Sequence, residues 1–203
     1  MKPLLIAMDD NYKRRMVESA HWLDRESPAE HYYSLLKGFI RTAENKRLLD
    51  VGCAQGEETD RFRRLGFAAE GIDLNDEFVS AARMRWPHCR FDTADAEQLP
   101  HESDAFDVVF CINTLFFTNM ERSIPELLRV LKPSGHGVIS YDIEIKDLER
   151  ESIIHATTLQ FLNHALEGNE VVHCEYKERI DASPFRHRHR YYEVIFQKQN
   201  RSM

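Results

Sequence analysis

Cysteine is scarce and scattered: four residues, at 53, 89, 111 and 174, with no Cys-x-x-Cys pair and no histidine at metal-ligand spacing. Such a set signals neither a zinc site nor a disulfide framework, so no metal is expected and the thiols read as reduced, in a cytoplasmic protein. Long apolar runs are missing as well. The stretch Leu4–Met8 is too short for a signal-peptide core, and nothing later nears the length of a bilayer span, so neither a secretory leader nor a membrane segment is expected. Positive charge is not in surplus: 27 Lys and Arg against 34 Asp and Glu leave a net charge of −7. That balance works against a nucleic-acid partner, whose binders usually carry a basic stripe. Repeats and low-complexity tracts are absent, and the 8 glycines and 7 prolines fall singly instead of forming a linker. What is left, 203 residues with 42% apolar and 30% charged, suits one soluble domain with a single core.

Within it, strand-like runs recur at Arg47–Val51, Ala68–Ile72, Phe106–Ile112 and Gly137–Tyr141, with a weaker one near Cys89–Thr93. Helical spacing separates them: Phe62 and Leu65, then Phe78, Ala81 and Ala82 behind an Asn75 N-cap, then Ile124, Leu127, Leu128 and Leu131 with Pro125 read in the first turn. Lys132-Pro133-Ser134-Gly135 is the stop after that helix. This alternation predicts a parallel sheet covered on both faces. Beyond Asp142 the pattern predicts a long helix over about 146–167, then an antiparallel strand pair, Val171–Glu178 and Arg190–Gln197. Tyr32, Leu35, Leu36, Phe39 and Ile40 predict an amphipathic helix in an N-terminal cap.

The chemistry-bearing signal begins at Leu48, where an apolar strand runs into a turn with glycines at 52 and 56. Glycine has no Cβ and tolerates positive φ, so such a turn brings backbone close to a ligand. Asp73 follows Gly52 by the spacing at which an acid ending the next strand grips a ribose in a nucleotide-binding βαβ unit. A nicotinamide fingerprint fails, because Gly-x-Gly-x-x-Gly meets alanine at 54 and glutamate at 57.

Five segments in order then carry a resemblance: Leu49-Asp50-Val51-Gly52-Cys53-Ala54-Gln55-Gly56, Gly71-Ile72-Asp73-Leu74, Ala94 to Pro100, Phe106 to Cys111 with Asn113, and Glu126 to His136. Over roughly residues 46–198 the chain resembles the class I S-adenosylmethionine-dependent methyltransferases. The resemblance implies a Rossmann-like α/β fold with a seven-stranded, mostly parallel sheet in the order 3-2-1-4-5-7-6, strand 7 antiparallel. The chain is thus read as one domain: an N-terminal helical cap over 1–45, a cofactor-binding core over 46–145, and a substrate-side helix with an antiparallel strand pair over 146–198. The resemblance also implies that Asp50 and the backbone of Gly52, Cys53, Ala54, Gln55 and Gly56 hold the methionine end of S-adenosyl-L-methionine, or of its product S-adenosyl-L-homocysteine. Asp73 would take the ribose, Leu74 would pack on the adenine, and Asp95 with Ala96 would read the adenine edge. Cys111 and Asn113 would lie beside the reacting end.

Two positions depart from the family. Ala54 stands where glycine is usual, and Phe116-Phe117 stands where many members have Glu-His, which removes any base supplied there. The implied activity is methyl transfer to a small-molecule acceptor by a monomer or homodimer. A non-catalytic cofactor binder of the same fold is the alternative, and a nicotinamide-dependent oxidoreductase is a third class. No catalytic residue follows. His31, His101, His136 and His173 are candidate bases only by possible proximity, Cys53 and Cys111 lack an activating neighbour, and Tyr32 and Tyr33 suit core packing better than ligand contact. Arg186-His187-Arg188-His189-Arg190, if extended, puts arginines on one face and histidines on the other. It reads as a charged edge strand or, alternatively, as an anion site or RNA contact.

Overall fold

In the computed structural model, residues 10–19 and 28–200 are described; the Leu4–Met8 run and the rest of 1–9 and 20–27 of the expected cap lie outside them. Strand β1, Arg47–Val51, is buried at four of its five residues, a pattern that requires both faces of the sheet to be covered. It pairs in parallel with β2, Ala68–Asp73, and with β4, Phe106–Cys111. Beyond these lie β3, Arg90–Thr93, and β5, Leu131–Asp147, also parallel. The chain then doubles back. Strands β7, Glu170–Asp181, and β8, His187–Gln197, form an antiparallel hairpin, and β8 runs antiparallel beside β5.

The order across the sheet is β3-β2-β1-β4-β5-β8-β7, which is the expected 3-2-1-4-5-7-6 once one extra strand is set aside. That strand, β6, Ser152–Ala156, pairs antiparallel with the far end of β5. It also corrects the helix expected over 146–167. Helix is confined to α6, Leu159–Ala165, while β5 continues to Asp147. The apolar spacing there fits either period, and β-branched Ile153 and Ile154 favour extended backbone once β5 offers its unpaired edge. A second correction concerns Pro125. Asn119 caps helix α5, Met120–Val130, by accepting the Glu121 N–H at 3.1 Å, so Pro125 lies inside the helix and not in its first turn. A third concerns the Arg-His run, which belongs to interior strand β8; the edge is β7.

Alternation along the strands divides the core. Val108 and Phe110 face α2, Ala29–Leu36, and α3, Glu57–Arg64, packing with Tyr32, Leu36, Ile40 and Phe62. Val109 faces the opposite side, where Ile124, Leu127 and Val130 of α5 and Phe161 of α6 pack with Ile139, Tyr141 and Phe196. Burying one such side chain contributes about 1.5–3 kcal/mol. Helix α4, Asp76–Arg85, starts as expected at Asn75, whose side chain accepts the Glu77 and Phe78 N–H groups at 2.9 and 3.3 Å. Helix α1 spans Asp10–Ser19. Among the described residues, no helix is long and apolar enough to cross a membrane.

Candidate functional site

At the carboxyl ends of β1, β2 and β4 the chain leaves the sheet in three successive turns, the position where ligands bind in open α/β sheets. The first turn requires its glycines. Gly52 sits at φ 80°, and a Cβ there would fall 2.1 Å from Thr114 Oγ1. Gly56 sits at φ 81°, and a Cβ would fall 2.5 Å from the Phe91 ring. Between them Ala54 holds φ 45° while carrying a Cβ, so the turn keeps a left-handed position where the family uses glycine.

Asp73 holds that turn. Its Oδ2 accepts the Ala54 N–H and its Oδ1 the Asn75 N–H, both at 2.9 Å. Each oxygen keeps a further lone pair. Burial raises the Asp73 carboxyl above its ordinary pKa, opposed by the backbone N–H groups of Asn75, Ala54 and Leu74. Asp50, 3% exposed, accepts the Thr59 hydroxyl at 2.7 Å. Burial first, and then the Glu58 charge, push it up to about 8. Glu58 is also raised, mainly by burial. This end of the cleft is therefore a set of carboxyls short of positive charge. Beside it Leu74 is 70% exposed, an apolar side chain presented where a flat ring can cover it. Asp95 accepts the Glu97 N–H at 2.8 Å and bridges to Gln98, closing a tight turn under which Ala96 is buried.

Asp50, Gly52 to Gln55, Asp73, Leu74, Asp95, Ala96 and Asn113 all line one cleft of about 770 Å³, within the size range of cofactor sites. Asn113 takes φ 56°, its N–H bonded to Ser140 Oγ at 2.7 Å. Gly56 lies behind the turn as the N-cap of α3. Cys111 is wholly buried in the core with its thiol pushed up by burial, so it backs the cleft instead of facing it. The Cys53 thiol is likewise raised by burial.

The other half of the cleft went largely unread in the sequence. Tyr32, Phe116 and Phe117 wall it, together with Arg179 and Asp181 of β7 and His189, Tyr191 and Glu193 of β8. Tyr32 both packs, edge-on to Phe110, and faces the cleft, its hydroxyl donating to Glu193 Oε1 at 3.1 Å. Tyr33 packs on Phe67 instead. Glu193 Oε2 lies 3.0 Å from His31 Nε2. None of His31, His101, His136 and His173 is among the lining residues. The available signal was the period-two run into β8. His187 and His189 are fully buried while Arg186, Arg188 and Arg190 are not, so the alternation holds and the histidine face is the inner one.

Comparison with known proteins bears on the family and the fold. Residues 49–139 match the methyltransferase domain family. The chain is 27% identical over 135 residues to sterol 4-C-methyltransferase of Caenorhabditis elegans, covering 62% of this chain and 40% of that protein. It spans 35 to 44% of the length of the curated relatives it matches. Among solved structures, a SAM-dependent methyltransferase of Methanosarcina mazei superposes with a TM-score of 0.65 at 19% identity, over 81% of this chain and 97% of that one. The [4+2]-cyclase SpnF superposes at 0.63 and 21% identity, over 86% and 83%. Likeness at that level concerns the fold.

Proposed function

We propose that this chain, whose residues 49–139 match the methyltransferase domain family, is a class I S-adenosylmethionine-dependent methyltransferase that transfers the methyl group of S-adenosyl-L-methionine to a small-molecule acceptor. The observation that carries the reading is the division of one cleft into an acidic half walled by the glycine turn and an aromatic half walled by Tyr32, Phe116, Phe117 and Tyr191. The residues of the first half fit the cofactor. Asp73 has one lone pair per oxygen left for two ribose hydroxyls, Leu74 offers its exposed face to the adenine, and Asp95 with the Ala96 backbone stands at the adenine edge. Asp50, Glu58 and the turn from Gly52 to Gly56 face the charged methionine end.

Bound there, the cofactor supplies a methyl group already activated on a positive sulfur. The chain's task is then to hold the acceptor in line with that methyl and keep water out. Asn113 and Ile112 at the end of β4 set the floor between the two halves, and the aromatic walls close the acceptor half. The acceptor is a compact molecule with an apolar body and a polar group able to meet Arg179, Glu193 or His189; the sterol methyltransferase relative also acts on a small molecule by name. Lys13, Pro28 and Tyr32 line the cleft from the N-terminal side, whereas no residue of 146–167 does; an N-terminal cap over the acceptor is abandoned if deleting residues 1–30 leaves a folded chain with unchanged turnover.

A second reading, a cofactor binder that methylates nothing, is favoured by Phe116-Phe117 standing where many relatives carry Glu-His. Mass-spectrometric detection of S-adenosylhomocysteine production with pooled small-molecule acceptors separates the two. Product formation lost in Asp73→Ala supports methyl transfer, and tight cofactor binding without turnover on any pool supports the second reading.

A further inference from the structure

The turn between β7 and β8 brings Asp181 and His187 opposite each other as a cross-strand pair, with His189 two residues on along the same face. The Asp181, His187 and His189 donor atoms lie within 4.8 Å of one another, and all three side chains are buried. The contacts around them fix the histidine tautomers. His187 Nδ1 lies 2.8 Å from the Phe185 carbonyl, which can only accept, so this nitrogen carries the proton. His189 Nδ1 lies 2.7 Å from the Asp142 carboxylate, the carboxylate–histidine pairing that orients metal-ligating imidazoles.

With both Nδ1 atoms so engaged, the Nε2 atoms are left on the side of Asp181 Oδ2, at 3.7 Å for His187 and 3.6 Å for His189. These separations are too long for hydrogen bonds. They are close to the edge of a coordination tetrahedron, about 3.4 Å for donors roughly 2.0–2.1 Å from a shared ion. Among the described residues His189 Nε2 has no hydrogen-bond partner. Arg179 Nε donates to the same Asp181 oxygen at 3.1 Å, as ligating carboxylates are themselves hydrogen-bonded.

We propose that Asp181, His187 and His189 form a binding site for a divalent transition-metal ion of the zinc or iron(II) class at the acceptor end of the cleft. Two imidazoles and one carboxylate are the donor set such ions take when a coordination position stays open. Asp181 and His189 also line the cleft, so the open position faces the bound acceptor. The ion takes an oxygen of the acceptor there. As a hydroxyl binds, its proton passes to cleft water; the oxygen lone pair then forms the bond to the methyl carbon while the sulfur–methyl bond breaks, leaving a neutral thioether. This supplies from the hairpin the activation that Phe116-Phe117 cannot. The acceptor chemistry rests on the methyl-transfer reading; the ion site does not.

The test uses the full chain, stripped with chelator, incubated with Zn²⁺ and passed through gel filtration before elemental analysis. We expect about one ion per chain, lost in Asp181→Asn and His189→Ala, and an affinity about 10–100-fold weaker in Asp142→Asn. His88→Ala and His173→Ala, in the other two groupings of possible ligands, are expected to keep it. Cobalt loading of the unaltered chain gives a reading free of any folding defect: visible d–d bands without thiolate charge transfer support the site, whereas thiolate bands point to Cys89 and overturn it. Overturning results are also an unaltered chain that retains no ion, or an ion that survives both Asp181→Asn and His189→Ala. Thermal shift with S-adenosylhomocysteine on the stripped chain keeps the two readings apart. A chain that holds the ion but ignores S-adenosylhomocysteine loses only the acceptor role.

Discussion

Asp50 ties cofactor affinity to pH. In the free chain its carboxyl is held to about 8 by burial and by the Glu58 and Asp73 charges, so only about 1% is ionised at pH 6 and about half at pH 8. A cation bound beside it favours the ionised form and draws the pKa back toward the ordinary carboxylate range, so binding releases a proton. By linkage the association constant then rises with a slope approaching about tenfold per pH unit well below 8, and about fiftyfold in all between pH 6 and pH 8. Asn at this position is uncharged and can still accept the Thr59 hydroxyl, so Asp50→Asn is expected to bind with little pH dependence over the same window. Calorimetric titration with S-adenosylhomocysteine at pH 6, 7 and 8, in two buffers of different ionisation enthalpy, reads both the slope and the proton released. A flat profile in the unaltered chain, or an unchanged slope in Asp50→Asn, refutes the reasoning.

Four further outcomes follow from the same geometry. Because folded Asp50 keeps a proton that the unfolded chain gives up near pH 4, its own contribution to the stability of the free chain is expected to fall as pH rises from about 4 to 8, so that denaturant melts show Asp50→Asn gaining on the unaltered chain over that range. Ala54→Gly removes a left-handed alanine, a conformation costing about 1–2 kcal/mol, against roughly 0.4–1 kcal/mol of added unfolded-state entropy; a small rise in melting temperature is expected, and a fall overturns the strain argument. Gly52→Ala drives a Cβ into Thr114, and a loss above about 2 kcal/mol should appear in urea melts, together with lost cofactor binding. At about a hundred times the dissociation constant a ligand stabilises by about 2.7 kcal/mol, roughly 5–11 °C for a domain of this size. That shift with S-adenosylhomocysteine should vanish in Asp73→Ala, and a shift with the oxidised nicotinamide dinucleotide instead would overturn the site.

The turns that build the half of the cleft proposed for the cofactor were legible because their determinants are local. A glycine turn, an acid ending the next strand and an Asn cap each act within a few residues of backbone, and β1 falls where the apolar run placed it. The acceptor half was not, because it depends on pairing between distant segments. The sequence contains the alternation of arginine and histidine, but which face turns inward is decided by the Asp181–His187 register and by β5 on the other flank. The same long-range pairing converts Ile153 and Ile154 from apparent helix to strand β6. Cys111 was read beside the reacting end, and the inward phase of β4 at its last residue sends its side chain into the core.

Period two in β8 has a consequence for how this chain can change over generations. His189, Tyr191 and Glu193 line the cleft while Arg188 and Arg190 pair with Glu144 and Glu178 on the other face. Deletion of Tyr191 alone, with Val194 and Phe196 held in phase, would move Arg188 and Arg190 into the places of His189 and Tyr191, bringing guanidinium groups into the chamber while Glu193 keeps its place. Length variation in this segment is thus constrained by parity: paired insertions or deletions keep the lining, odd ones invert its charge.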